Sequence, residues 1–170
     1  MIAMLAAVPA AAQGAPPSLA VDGAGMLPLA AQARRSHLLG SVELYSLAVY
    51  LDGSLRDAAV IASRSVPKAL RVEVTYKPDL HRPMPLDWQR ELIPALALEA
   101  NAVAELRRII SPLRYGDVLL IDYTPDKGTT VRVNRDVAVS RGNHDLMLAF
   151  LDHWIGQRPV SEEIRQALVR

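Results

Sequence analysis

Residues 40–53 read Gly-Ser-Val-Glu-Leu-Tyr-Ser-Leu-Ala-Val-Tyr-Leu-Asp-Gly. At period two, Val42, Leu44, Ala48 and Tyr50 fall on one side and Tyr45, Leu47, Val49 and Leu51 on the other, so a strand here is apolar on both faces and both need cover. Polar tips in such a strand require partners, either within the fold or in something bound. The functional question is which of the two they have.

The rest of the chain supplies the layers. Leu19 to Asp22 suggests a short strand ending at Gly23, and Leu27 to Leu29 a second, before Arg34 and Arg35 lead into the long strand region. Lys68 to Tyr76 alternates, with Leu70, Val72, Val74 and Tyr76 on one face and Arg71, Glu73 and Thr75 on a wet one. Three prolines make Lys77 to Pro85 a loop. Pro85-Leu86-Asp87 opens a helix running to about Ile110, with Trp88, Leu92, Leu96, Val103, Leu106 and Ile110 on its apolar face and a kink or break at Pro94. Asp117 to Tyr123 and Thr129 to Val133 flank the turn Thr124-Pro-Asp-Lys-Gly128 and pair as a hairpin. Arg135 to Ser140 adds a strand. Asn143 is placed to cap a helix through Trp154, with the stripe Leu146, Met147, Phe150, Leu151 and Trp154, stopped by Gly156. Ser161 caps a last helix to Val169. Strands, a long helix, a hairpin and paired helices give an α+β chain, an antiparallel sheet with helices packed on one face.

The length of 170 residues suits one domain. A formal net charge of +1 gives no field that argues for nucleic acid or an anionic membrane surface. With no cysteine there is no disulfide framework, thiolate metal site or thiol nucleophile. Compartment must therefore be read from the N-terminus. Residues 1–12 are small and apolar, and Ala10-Ala11-Ala12 before Gln13 fits a signal-peptidase site, although the basic flank of a leader is missing. The expectation is an exported, periplasmic protein whose signal peptide is truncated at its start, then an N-terminal extension over 13–26 and one domain over 27–170. No stretch reaches the roughly 18 apolar residues that span a bilayer, so no integral membrane segment is expected.

Three blocks in register carry a family resemblance. Arg35 with Tyr45-Ser-Leu-Ala-Val-Tyr-Leu51, then Gly116-Asp117 through Gly128-Thr129-Thr-Val-Arg-Val133, then Phe150 through Trp154-Ile-Gly-Gln-Arg-Pro159, together resemble the chalcone isomerase-like family, in its bacterial branch. The resemblance runs from about Leu27 to Val169. It implies an open-faced β-sandwich with helices enclosing a cleft for an apolar ligand, and a family divided into isomerases, fatty-acid-binding proteins and non-catalytic relatives. In the isomerases an arginine ahead of the long strand, a threonine on it, and a tyrosine and an asparagine on the next helix hold a flavonoid. Aligned by Val49-Tyr50-Leu51, this chain has Tyr45 at the threonine and Arg35 near the arginine, while Pro85 to Ala95 offers Trp88 and Gln89 but neither helix partner. The fatty-acid-binding branch grips a carboxylate with an arginine and a strand tyrosine, and Arg35 and Tyr45 match that pair in type, order and spacing. Where bacterial relatives carry glycines before the arginine, this chain has Leu27-Pro-Leu-Ala-Ala-Gln-Ala33, so its approach to Arg35 differs.

A guanidinium meets a carboxylate in two parallel bonds, a phenol adds a donor, and apolar strand faces shelter an acyl chain. The expected function is thus non-catalytic binding of a small amphipathic carboxylate such as a fatty acid, with Arg35, Tyr45, Ser46 and Trp88 as candidate ligand-binding residues and no cofactor. The alternatives are an intramolecular lyase of the chalcone isomerase type, with Arg35 as electrophile and Tyr45 as proton relay, or a structural module whose cleft is filled by its own side chains. Ser46 has no histidine and acid arranged to make it a nucleophile. His37, His81, His144 and His153 are scattered without ligand spacing, so no metal site is expected, and His144 and His153 are expected on the polar side of their helix. Asp117, Asp122 and Asp126 form no acid and base pair. Tyr50, Phe150 and Trp154 read as structural.

Overall fold

The two-faced stretch forms β3 (Val42–Leu51), and both of its edges are paired: β2 (Gly25–His37) lies on one side and β4 (Lys68–Val74) on the other, both antiparallel. This is a computed structural model describing residues 14–37, 42–53, 57–76, 100–110, 112–134 and 136–169. With β1 (Ser18–Val21), β5 (Val118–Thr124), β6 (Gly128–Val133) and β7 (Asp136–Arg141), the strands run in sequence order as an antiparallel meander. The described helices are α1 (Ala58–Ile61), α2 (Ala100–Ile110), α3 (Asp145–Ile155) and α4 (Glu162–Leu168). Trp88, Pro94 and the rest of 77–99 lie outside the described residues, as does the leader over 1–13.

The expected short strand at 27–29 and the arginine pair after it belong to one element. Strand β2 is 13 residues long, and a register shift between Leu29 and Ala31 lets it serve two layers. Its first residues pair with β1, from Ser18 opposite Pro28 to Val21 opposite Gly25, and its remainder pairs with β3. The β1–β2 hairpin therefore leaves the main sheet and packs over one face of it as a flap. Val21 and Leu27 from the flap bury Ala48, Tyr50 and Ala69, and the Tyr50 hydroxyl donates to the Pro16 carbonyl at 3.1 Å. Asp22 and Lys127 add an exposed ion pair at 2.7 Å between the flap and the β5–β6 turn. That turn closes on Gly128, whose φ of 79° and close approach to the Arg141 and Gly142 backbone leave no room for a side chain.

The other face carries the main core. Tyr45, Leu47, Val49 and Leu51 lie beside Val74, Val72 and Leu70 under Leu146, Met147, Phe150 and Trp154 of α3. Full burial of such side chains stabilises by about 1.5–3 kcal/mol each, so this layer dominates stability. Ser161 caps α4 by accepting from the Ile164 amide.

Two expectations on α3 need correction. Asn143 does not cap it: the N-cap is His144, without a side-chain capping bond, and the Asn143 amide instead donates to Asp145 at 3.2 Å. His144 and His153 are not on a polar side but are 4% and 7% exposed. His144 is three residues before Met147 and His153 three after Phe150, so helical geometry turns both rings toward the sheet.

Candidate functional site

Arg35 and Tyr45 are direct cross-strand partners on β2 and β3. Opposed residues on antiparallel strands project to the same face with Cβ atoms roughly 4.5–5.5 Å apart. Here that face is the helix-covered one. Tyr45 is fully buried, and its hydroxyl accepts from the indole Nε1 of Trp154 at 3.1 Å, which ties β3 to α3. Arg35 is half-buried and sits at a second register shift, where its Nη1 donates to the Ser36 carbonyl at 3.3 Å. Its Nε is buried and has no hydrogen-bond partner.

His153 adds a third polar group that sequence reasoning missed. Its ring packs edge-on to Trp154 with centroids 5.5 Å apart, and its Nε2 is buried and unpartnered. Burial, and after it the charge of Arg35, hold its pKa down to about 4, so the imidazole is neutral near pH 7. Arg35 also lends a small share to the lowering of Glu163 on α4, which is mostly the work of the Ser161 hydroxyl bonded to it.

A second cluster lies where β4 meets the start of α3. Lys68 is fully buried, donates to the Ser63 carbonyl, contacts His144 Nε2 at 3.2 Å and lies 5.2 Å from the Tyr123 ring centroid. Tyr123 donates to the Arg64 carbonyl at 2.8 Å. Burial without an acid partner lowers the Lys68 pKa to about 8, and burial with the Lys68 charge lowers that of His144 to about 4. Lys68 shares its parity with Leu70 and Val72, a signal that was there to be read.

Ser46 is next to Tyr45 and so points to the opposite face, where it lines a cleft of about 260 Å³ with Gln32, Arg34, Glu43, Glu73 and Thr75. A single ligand does not reach both residues through a hydrogen-bonded sheet. Trp88 lies outside the described residues. Asp122, 5% exposed, is ion-paired with Arg132; burial raises its pKa and Arg132 opposes the rise. Among the described residues no three His, Asp or Glu gather as metal ligands, and no helix is long and apolar enough to cross a membrane.

The model of the chalcone isomerase-like family matches residues 10–169. The chain belongs to that family. This chalcone isomerase-like protein is also similar in structure to a fatty-acid binding protein of Arabidopsis thaliana, with a TM-score of 0.62, 16% identity, and coverage of 90% of this chain and 89% of the other. At that identity the likeness speaks for the open-faced fold. No curated protein sequence matches the chain.

Proposed function

We propose that this chalcone isomerase-like protein is a non-catalytic binder of a small amphipathic carboxylate such as a fatty acid, gripped by Arg35 and Tyr45. One observation carries the reading. Five arginines among the described residues are half-buried, and four pair with a carboxylate: Arg71 with Glu73, Arg132 with Asp122, Arg141 with Glu105 and Arg165 with Glu162. Arg35 is the fifth, and it faces the apolar layer with a buried, unsatisfied Nε. A buried donor without an acceptor costs about 1–3 kcal/mol, which a ligand carboxylate would recover. The fatty-acid binding relative of the same fold supports this choice of ligand class.

Titration of delipidated protein with saturated fatty acids of graded length tests it. Affinity should rise by about 0.8 kcal/mol for each methylene buried. Absence of binding, or binding indifferent to Arg35→Ala, rejects the proposal. A second reading, a module filled by its own side chains, draws on the complete burial of Tyr45 and its bond from Trp154. Ligand-dependent changes in Trp154 fluorescence decide between the two, because a filled interior leaves the indole undisturbed. We also infer export to the periplasm from the cleavage pattern at Ala10-Ala11-Ala12, and N-terminal sequencing of protein from its host checks that cut.

A further inference from the structure

We propose that His153 is part of the anion site and that carboxylate binding is coupled to uptake of one proton at its Nε2. This rests on the carboxylate reading above and adds how the site responds to pH. Two buried nitrogens without partners, Nε of Arg35 and Nε2 of His153, belong to side chains close enough for the charge of one to act on the other. They reach the site from different elements, β2 and α3, and Trp154, adjacent to His153, holds the phenol of Tyr45, which is opposite Arg35. Arginine and tyrosine thus lie side by side on the sheet, and histidine comes from the helix packed over them.

The charges facing His153 are few. Among the described residues, Arg35 comes from β2; Glu163, beyond Arg35 on α4, is exposed and already bonded by Ser161; Tyr45 is on this face of β3, whereas Glu43 pairs with Arg34 on the other; and Asp152 on α3 itself is exposed. Among the described residues no carboxylate is ion-paired with Arg35 or His153. Without ligand the dry surroundings and the guanidinium both keep the imidazole neutral, and its Nε2 has no hydrogen-bond partner. A carboxylate seated on Arg35 cancels the guanidinium charge and sets an acceptor beside the imidazole. The imidazole then takes a proton from solvent, and the Nε2–H of the imidazolium donates to the second carboxylate oxygen. The unpartnered Nε2 and the ligand's spare oxygen thereby satisfy one another. The ligand class this favours is a carboxylate monoanion with an apolar tail, bound more tightly at mildly acid pH.

Calorimetric titration of the full chain with decanoate, at about pH 6 and about pH 8 in buffers of different ionisation heat, tests the coupling; decanoate is ionised at both. The expected results are net uptake approaching one proton at the lower pH and about three- to tenfold weaker binding at the higher one. In His153→Gln, binding persists but the uptake and the pH dependence disappear. In Arg35→Met without ligand, the His153 ring resonances titrate at higher pH than in the natural protein. Decanoate bound equally at both pH values with no proton uptake overturns the coupling and leaves the carboxylate site standing. No decanoate binding at either pH overturns both. An unchanged His153 titration in Arg35→Met overturns the pairing of the two groups. The wild-type uptake measurement decides the matter even if a variant does not fold.

Discussion

The two ends of helix α3 each set a histidine beside a buried or half-buried cation, and they differ in what is left over. At the first end, Lys68 spends its donors on the Ser63 carbonyl and His144, with the Tyr123 ring nearby, and the unpartnered atom is His144 Nδ1. At the second, Arg35 and His153 each keep a buried nitrogen without a partner, and the phenol of Tyr45 stands beside them. The Lys68 end leaves one buried nitrogen over, and its cation is satisfied within the fold. The Arg35 end has unused polar capacity on an apolar face, which is the pattern of a place awaiting a ligand.

The largest expected effect comes from removing the indole that roofs the Arg35 end. Trp154→Ala should cost about 3–5 kcal/mol in urea unfolding, because a large core side chain is lost along with the donor to Tyr45. Next is the response to pH, in which both ends take part. His144 and His153 have pKa values near 4 when folded, below their ordinary value of 6.5. The unfolded chain then binds protons first, so stability present above pH 6.5 is lost as pH falls through 4, by up to about 3 kcal/mol per histidine. Lys68, lowered from 10.5 to about 8, adds an effect of the same sign in alkali: stability rises from pH 8 to 10.5. Unfolding curves across pH should lose the acid share of one end in His153→Gln, that of the other in His144→Gln, and the alkaline rise in Lys68→Met.

Ligand binding separates the ends more sharply. Arg35→Ala should weaken fatty-acid binding by about 1.5–3 kcal/mol, roughly tenfold to a hundredfold, whereas Lys68→Met should leave it unchanged, as read by calorimetry. Equal losses in both variants would erase the distinction. The smallest effect belongs to the opposite face of the sheet, where Tyr50→Phe removes the bond to Pro16 and should cost about 1 kcal/mol in thermal unfolding without altering ligand affinity.

The fold was legible because its signals are periodic. Alternation in Lys68 to Val74, the turn at Thr124 to Gly128 and the stripe on α3 each report a local geometry that the tertiary structure kept. The double coverage of β3 was readable too, although not that its second cover would be a flap made from the start of β2. Arg35 and Tyr45 stood out by type and order, and their pairing across two strands became visible only with the register. His153 escaped because its chemistry suggested the polar side of the helix, and Lys68, at the head of its strand, was given no face. His153 lies seven residues after Leu146 and Lys68 two before Leu70, so helix and strand periods both pointed inward. Charge overrode geometry in the reading, and geometry prevailed in the molecule.

The bond from Trp154 to Tyr45 spans 109 positions of the chain, while every strand pairs with its immediate neighbour in sequence. The β2–β3, β3–β4, β5–β6 and β6–β7 pairings are local in the chain, whereas β4 meets β5 across an insertion that carries α2, and the α3 layer over Tyr45 is supplied after the last strand. The cover over Tyr45 therefore comes from the end of the chain, and a truncation before α3 would uncover the face that Arg35 and Tyr45 share.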